Sequence, residues 1–126
     1  MAGDVTQIFL DARTATGHFP GIGRYVRNLA QCLPPLLRAD ERLVILWNPA
    51  DPTAWNPSPL AGPHVEVVPA PVSPFALSQQ WSIPHLLRAY RSRGLSSAVR
   101  GPVFHSTYYL MPYRPGLPTL LTVYDL

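Results

Sequence analysis

Lysine is absent from this 126-residue chain, and all ten of its basic residues are arginine. A P-loop nucleotide site is therefore excluded, because that motif needs a lysine to reach the phosphates. Cysteine is nearly absent as well: Cys32 stands alone, so no disulfide can form within the chain and a reducing compartment is favoured. Cys32 lies beside leucines of an apolar repeat, which predicts a small buried side chain rather than a nucleophile.

Long apolar runs and a strong charge are also missing. No run approaches about 18 apolar residues, which excludes a membrane-spanning helix, and Asp4 stands where a secretory signal would be basic. The formal net charge is only +3, and no nucleic-acid partner is expected. Four clustered arginines suit phosphates, an anionic membrane surface or, alternatively, a solvated helix end: Arg88, Arg91, Arg93 and Arg100.

The composition is that of one packed domain spanning residues 1–126. Hydrophobic residues make up 47% of the chain and charged residues 13%. A chain of this length buries about two thirds of the surface that it exposes when unfolded. The sequence therefore predicts a single globular unit rather than a disordered segment.

A glycine-containing loop joins the first predicted strand to the first predicted helix. The apolar run Gln7–Leu10 indicates a strand over 6–11, and the loop after it contains Gly17, Gly21 and Gly23. The helix is expected to begin near Gly21 and to stop about residue 33, before two prolines. Its apolar positions recur at spacings of three and four, and they are Ile22, Val26, Leu29, Leu33 and Leu36.

The rest of the chain alternates between predicted strands and one more predicted helix. Strands are expected over 42–47, 64–68, 103–105 and 118–123, and a long proline-rich loop occupies 48–63. A helix is expected over 78–93, which Pro84 divides into a short turn and a main helix beginning near Ile83. The buried side of this helix is predicted to be Trp81, Leu86, Leu87 and Tyr90.

This alternation predicts an α/β fold with a Rossmann-like, doubly wound and mostly parallel sheet of about five strands. Right-handed crossovers give the strand order 3-2-1-4-5. In such a sheet ligands bind beyond the carboxyl ends of the strands, where the chain direction reverses. Three loop tips should meet there: the glycine loop, the segment from His105 to Tyr109, and Tyr124 with Asp125.

Each of these tips also has a structural interpretation. The glycines can serve a tight turn instead of an anion, His105 can be a satisfied core residue, and Asp125 can cap a following helix. The loop is not a dinucleotide fingerprint, because Val26 stands where a third glycine is needed. No spacing of ligand residues indicates a metal site.

The glycine loop resembles the first loop and helix of the retaining GT-B glycosyltransferases of family 4 (group 1), through Pro20-Gly21-Ile22-Gly23-Arg24-Tyr25. Two later segments resemble the same family. Val103-Phe104-His105-Ser106 and the run from Pro118 to Leu126 are similar to its fourth strand and its P-x-x-x-T-x-H-D-L segment. Ile83-Pro84-His85-Leu86-Leu87 is similar to the Leu-Pro helix that precedes that strand.

The resemblance implies the N-terminal, acceptor-side half of a two-domain enzyme of polysaccharide or cell-envelope synthesis. Its substrates would be a nucleotide-sugar donor and a carbohydrate or lipid-linked acceptor, with no metal or other cofactor. It further implies cytoplasmic localisation, with peripheral association at the inner membrane face. The implied residues are Tyr124 and Asp125 for catalysis, Gly21, Ile22 and Gly23 for the donor diphosphate, and Arg24, His105, Ser106, Tyr108 and Tyr109 for the acceptor.

The sequence departs from the family in two ways. Tyr124 stands where the family has a histidine, and a phenol stays neutral at pH 7. The chain also ends before the family's N-terminal domain is complete, so its partner would be the missing C-terminal domain or another copy, and the chain alone is expected to be inactive. The alternatives are a non-catalytic module that pairs through its unfinished sheet edge and an unrelated flavodoxin-like phosphate binder.

Overall fold

The computed structural model describes residues 5–91 and 101–124, and these ranges contain a five-stranded parallel sheet. The sheet has the order β3-β2-β1-β4-β5, as the sequence predicts. Its strands are β1 (Thr6–Asp11), β2 (Glu41–Trp47), β3 (Val65–Pro69), β4 (Val103–Ser106) and β5 (Thr119–Leu121). The helices are α1 (Pro20–Cys32) and α2 (Gln79–Tyr90).

The central strand β1 pairs with β2 on one side and with β4 on the other. Leu10, for example, lies opposite Ile45 of β2 and opposite His105 of β4. The chain therefore leaves β1 in one direction and β4 in the other, which opens a crevice above their carboxyl ends.

Both faces of the sheet are covered, because side chains alternate in direction along each strand. Phe9 and Phe104 belong to one buried cluster, which Ile83 and Leu87 of α2 also join. Leu10, with neighbours from β2, belongs to a second cluster that α1 closes through two of its buried residues, Val26 and Ala30. One helix thus packs on each face, and the glycine loop enters α1 at the open crevice.

Helix α1 begins one residue before the predicted start and ends at Cys32, ahead of the two prolines. The prediction that Cys32 is buried is wrong, since its side chain is exposed. The buried face of α1 is made by Gly23, Val26 and Ala30. Two residues beyond Ala30 the helix has turned by about 200°, which carries Cys32 to the solvent side.

Helix α2 is continuous from Gln79, so the predicted division at Pro84 is wrong. At the start of α2 backbone amides bond to carbonyls three residues earlier, as the Gln80 amide does to the Leu77 carbonyl. Pro84 then removes only the bond that its own nitrogen would make, and burial of Ile83 and Leu87 offsets that loss.

The predicted buried side of α2 is only partly correct. Leu87 is buried and Leu86 packs partly against the core, whereas the side chains of Trp81 and Tyr90 are 68% and 39% exposed. Gln79 is 4% exposed. The buried face of α2 is therefore polar at its start, and the tryptophan lies outside it.

Strand β5 is shorter than the predicted 118–123 and forms the edge of the sheet. It pairs with β4, and all three of its residues are exposed. Leu120 and Leu121, whose side chains are apolar, are 57% and 39% exposed.

Across the described ranges, none of the helices has both the length and the apolar character needed to traverse a lipid bilayer.

Candidate functional site

The three loop tips meet above the carboxyl ends of β1, β4 and β5. His105 Nε2 lies 2.7 Å from the hydroxyl of Thr122, and the hydroxyl of Tyr25 on α1 lies 3.3 Å from the same oxygen. Tyr124 donates its phenolic hydrogen to the carbonyl of Thr107 at 2.8 Å. Hydrogen bonds therefore join α1 to the segment after β5, and join that segment to β4 and to the loop after β4.

A cavity of about 290 Å³ opens among these segments, and we call it the tyrosine cavity. Four of the predicted site residues line it: Ile22, Tyr108, Tyr109 and Tyr124. The remaining lining residues are Thr122 and Val123. The predicted convergence thus brings the start of α1 together with both later tips.

Tyr124 is neutral in this setting. Burial, followed by the neighbouring phenol of Tyr25, raises the pKa of Tyr124 to about 12. The two rings meet edge to face with centroids 5.7 Å apart. Because its hydrogen is already donated to a carbonyl, the Tyr124 oxygen can only accept a hydrogen bond from a ligand, through a lone pair.

His105 is a buried and hydrogen-bonded residue, 8% exposed. Burial lowers the pKa of the imidazole, and the carboxylate of Asp11 opposes this only in part. The ring is therefore neutral at pH 7 and is held by Thr122. These contacts favour the structural interpretation of His105, as a residue that positions the segment after β5.

The lowered pKa of His105 predicts a loss of stability in acid. Below about pH 6.5, the ordinary pKa of histidine, the unfolded chain binds this proton more readily than the folded protein, so the free energy of unfolding falls with the pH. We expect His105→Gln, which keeps a polar group opposite Thr122, to remove this part of the dependence. Urea denaturation between about pH 5 and pH 8 measures it, and identical pH profiles for the two proteins would contradict it.

Ser106 faces its own loop rather than the cavity. Its hydroxyl donates to the carbonyl of Tyr108 at 2.7 Å and lies 3.4 Å from the Tyr108 amide nitrogen, and the residue is 1% exposed. Ser106 therefore shapes the turn that presents the two tyrosines.

The first turn of α1 leaves two backbone donors at the crevice. The amide of Gly23 donates to the Phe19 carbonyl, and Phe19 provides no side-chain cap. Among the described residues no acceptor faces the amides of Gly21 and Ile22. Unpaired N–H groups at a helix start attract anions.

Neither Gly21 nor Gly23 needs to be glycine for its backbone conformation. Among the described glycines only Gly116 has a positive φ, of 82°. A Cβ added at Gly21 would meet nothing within 4 Å, and one added at Gly23 would lie 3.5 Å from the Ala15 Cα, an ordinary contact. The turn interpretation therefore does not explain these two glycines.

Arg24 lies apart from the tyrosines. It lines a separate cavity of about 360 Å³, which we call the arginine cavity, together with Arg27, Gly23 and residues of two loops. Its place in α1 explains this: Pro20, Gly23, Arg24 and Arg27 share one flank, whereas Ile22 and Tyr25 lie on the opposite flank.

The sequence prediction missed a buried ion pair at the end of β1. Arg13, 1% exposed, donates through Nε and Nη2 to the two carboxylate oxygens of Asp11 at 2.9 and 2.7 Å. The same guanidinium donates to the Val72 carbonyl and to Gln79 Oε1. A carboxylate and an arginine two residues apart at a strand end were the available signal.

Aromatic rings from three loops also meet beside the crevice. Phe19 stacks on Phe75 with centroids 5.6 Å apart and meets Tyr108 edge to face at 4.9 Å. Phe75 is 53% exposed. These contacts place the loop after β3 against the tyrosine-bearing loop after β4.

Asp125, the remaining predicted site residue, lies outside the described residues. Of the other predicted residues, four line the tyrosine cavity, Gly23 and Arg24 line the arginine cavity, and Gly21 lies in the first turn of α1. His105 and Ser106 line neither cavity. Comparison with protein-family models, curated proteins and solved structures found no match to this chain.

Proposed function

We propose that these 126 residues form the N-terminal, acceptor-binding half of a retaining, nucleotide-sugar-dependent glycosyltransferase of the GT-B type. The observation that carries the proposal is the convergence of the α1 start with the segments after β4 and β5 on one tyrosine-lined cavity. Neutral hydroxyls and aromatic rings are groups that bind sugars through hydrogen bonds and apolar contact. The cavity would hold the acceptor, and the open amides beside it would face the donor diphosphate.

The glycines support this division of roles. Since neither backbone conformation nor packing requires glycine at position 21, the lack of a side chain there leaves the helix start open to close approach. The diphosphate of a nucleotide sugar is an anion that such a helix start attracts.

We expect Gly21→Ala to keep or slightly raise stability while weakening anion binding. Alanine is favoured over glycine in a helix by about 1 kcal/mol at interior positions and by less in a first turn. Its methyl group would cover the amides of Gly21 and Ile22. Titration with inorganic pyrophosphate, followed by NMR shifts of these two amides, measures binding, and thermal unfolding measures stability.

Gly62→Ala is the matched control. A Cβ there would meet only the Leu60 carbonyl, at 3.9 Å, and position 62 is far from α1 in the sequence. Pyrophosphate binding should be unchanged in this variant. Equal pyrophosphate binding by the wild type and Gly21→Ala would contradict the proposal that the start of α1 binds an anion.

Activity assays test the transferase proposal directly. Stabilising the charge on a departing diphosphate needs donors from both halves of a GT-B enzyme, so we expect no transfer or hydrolysis of UDP-, GDP- or ADP-sugars by the 126 residues alone. Activity should appear only when a donor-binding half is supplied. Robust turnover by these residues alone would overturn this assignment.

The proposal also places the protein in the cytoplasm at the inner membrane face, where lipid-linked acceptors are available. Two exposed arginines, Arg88 in the last turn of α2 and Arg91 just after it, would contact anionic headgroups. Arg93 and Arg100 of the same predicted cluster lie outside the described residues. Co-sedimentation with vesicles, with and without anionic lipid, tests this placement.

The exposed edge strand favours a second candidate, a non-catalytic module that associates with another chain. The apolar side chains of Leu120 and Leu121 are exposed on β5, and an edge strand offers unpaired backbone groups for pairing. Light scattering after gel filtration separates the candidates: a monomer at all concentrations would count against self-assembly through this edge.

A further inference from the structure

The arginine cavity lies on the flank of α1 that faces away from the tyrosine cavity, and none of its lining residues is shared with that cavity. Arg24 and Arg27 are both exposed and both line it. In the described ranges neither of them has a carboxylate partner, because the ion pair found there joins Arg13 to Asp11. Two guanidinium groups three residues apart on a helix give this side of the cavity a positive charge.

The position of Arg27 is fixed by a bond along its own helix. Its Nε donates to the Gly23 carbonyl at 3.3 Å. This bond uses one of the five N–H donors of the guanidinium, so the terminal nitrogens remain available to a ligand.

The opposite wall of the arginine cavity is preformed by a network of hydrogen bonds. The Gly17 amide donates to the Thr53 hydroxyl at 2.9 Å, and that hydroxyl donates to Asp51 at 2.7 Å. The Trp55 amide donates to the Ala15 carbonyl at 2.8 Å. These bonds tie the loop after β2 to the loop after β1, so the cavity walls are already in place before a ligand enters.

Thr16 provides an independent observation at the same cavity. It lines the arginine cavity and is 9% exposed. Among the described residues its hydroxyl is the one buried side-chain polar atom without a hydrogen-bond partner. Burying a hydroxyl without a partner costs about 1–3 kcal/mol, so an acceptor brought by a ligand would stabilise this residue.

We propose that the arginine cavity binds a small phosphorylated molecule. Arg24 and Arg27 hold the oxyanion, and rotation of the Thr16 side chain about χ1 turns its buried hydroxyl toward a phosphate oxygen, which is the acceptor that it lacks. Trp55, in the wall of the same cavity, contacts the organic part of the ligand. This site is separate from the tyrosine cavity on which the proposed transferase function rests, because its residues lie on the other flank of α1.

The volume of the cavity agrees with a ligand of this size. About 360 Å³ holds a phosphate with one attached ring and lies at the lower end of small-molecule sites. The long irregular loop over 48–63, for which the sequence predicts no helix, is thereby given a role as the wall of a site.

NMR titration with inorganic phosphate and with glucose 6-phosphate, at constant ionic strength, tests the proposal. We expect saturable shifts of the Gly17 and Arg24 amides and of the Trp55 indole, with tighter binding of the sugar phosphate. Arg24→Gln and Arg27→Gln should each weaken binding about tenfold, the value of one charge-assisted hydrogen bond. Arg38→Gln, which removes an exposed arginine just before β2, is the control and should bind as the wild type does.

Thr16→Val separates binding from folding. We expect this variant to unfold at a higher temperature than the wild type without ligand, because a buried hydroxyl that lacks a partner is removed, and to bind phosphate less tightly. Lack of saturable shifts in the wild type would overturn the proposal. Equal weakening by Arg38→Gln would also overturn it, because the attraction would then be general rather than local.

A titration with inorganic pyrophosphate distinguishes this site from the proposed donor site. Shifts of the Gly21 and Ile22 amides that persist in Arg27→Gln belong to the donor site. Shifts of Gly17 and Trp55 that persist in Gly21→Ala belong to the arginine cavity. Each proposal can therefore fail while the other stands.

Discussion

Asp11→Ala is expected to lower the free energy of unfolding by about 3–5 kcal/mol, because it leaves the buried guanidinium of Arg13 without its counter-charge. Arg13 is 1% exposed and Asp11 is 5% exposed, so water cannot replace the lost carboxylate. A loss of this size is a large part of the about 5–15 kcal/mol that stabilises a typical domain. Urea denaturation followed by circular dichroism measures it.

The effect should extend beyond the pair itself. Arg13 also donates to the Val72 carbonyl after β3 and to Gln79 at the start of α2. The segment between Val72 and Gln79 contains Phe75, which stacks on Phe19 beside the crevice. Loss of the Asp11 carboxylate should therefore also disorder the loops around the tyrosine cavity.

A double variant separates the loss of the ion pair from the effect of leaving one buried charge without a partner. Asp11→Leu combined with Arg13→Met removes both charges and fills the space with apolar groups, so it should be more stable than Asp11→Ala alone. If the double variant is as unstable as Asp11→Ala, the packing at the end of β1 matters more than the charge.

The strand order and the convergence of the loop tips could be predicted because both follow from a local signal. Short apolar runs separated by helical patterns specify a parallel sheet, and the direction of its strands places their carboxyl ends at one edge. Ile22, Tyr108 and Tyr124 then meet at the tyrosine cavity as a consequence of topology. Their spacing in the sequence contains no direct evidence of that contact.

The buried ion pair and the arginine cavity could not be predicted in the same way. A charged residue such as Arg13 is expected at the surface, and its burial depends on partners 59 and 66 residues away. The separation of Arg24 from Ile22 depends on which flank of α1 each occupies, and that follows from how the helix is rotated on the sheet. The rotation of α1 on the sheet also explains why the prediction of a buried Cys32 is wrong.

Helix α2 shows how hydropathy alone misplaces a buried face. Hydropathy assigns Trp81 and Tyr90 to the core because their side chains are large. Gln79, Ile83 and Leu87, which recur at spacings of four, are buried instead. The side chain of Gln79 is needed there because it accepts from Arg13 and donates to the Pro74 carbonyl. The polar network at the end of β1 therefore determines which face of α2 is turned toward the sheet.

This orientation predicts opposite outcomes for two substitutions on α2. Leu87→Ala should lower the free energy of unfolding by about 2–5 kcal/mol, because it opens a cavity among Phe9, Phe104 and Ile83. Trp81→Ala, at a side chain that is 68% exposed, should change it by no more than about 0.5 kcal/mol. The hydropathy pattern predicts a large loss for both, so chemical denaturation of the two variants side by side decides between the two orientations of the helix. A large loss of stability in Trp81→Ala would mean that α2 turns a different face toward the sheet. The hydrogen bond from Arg13 to Gln79 could not form in that orientation.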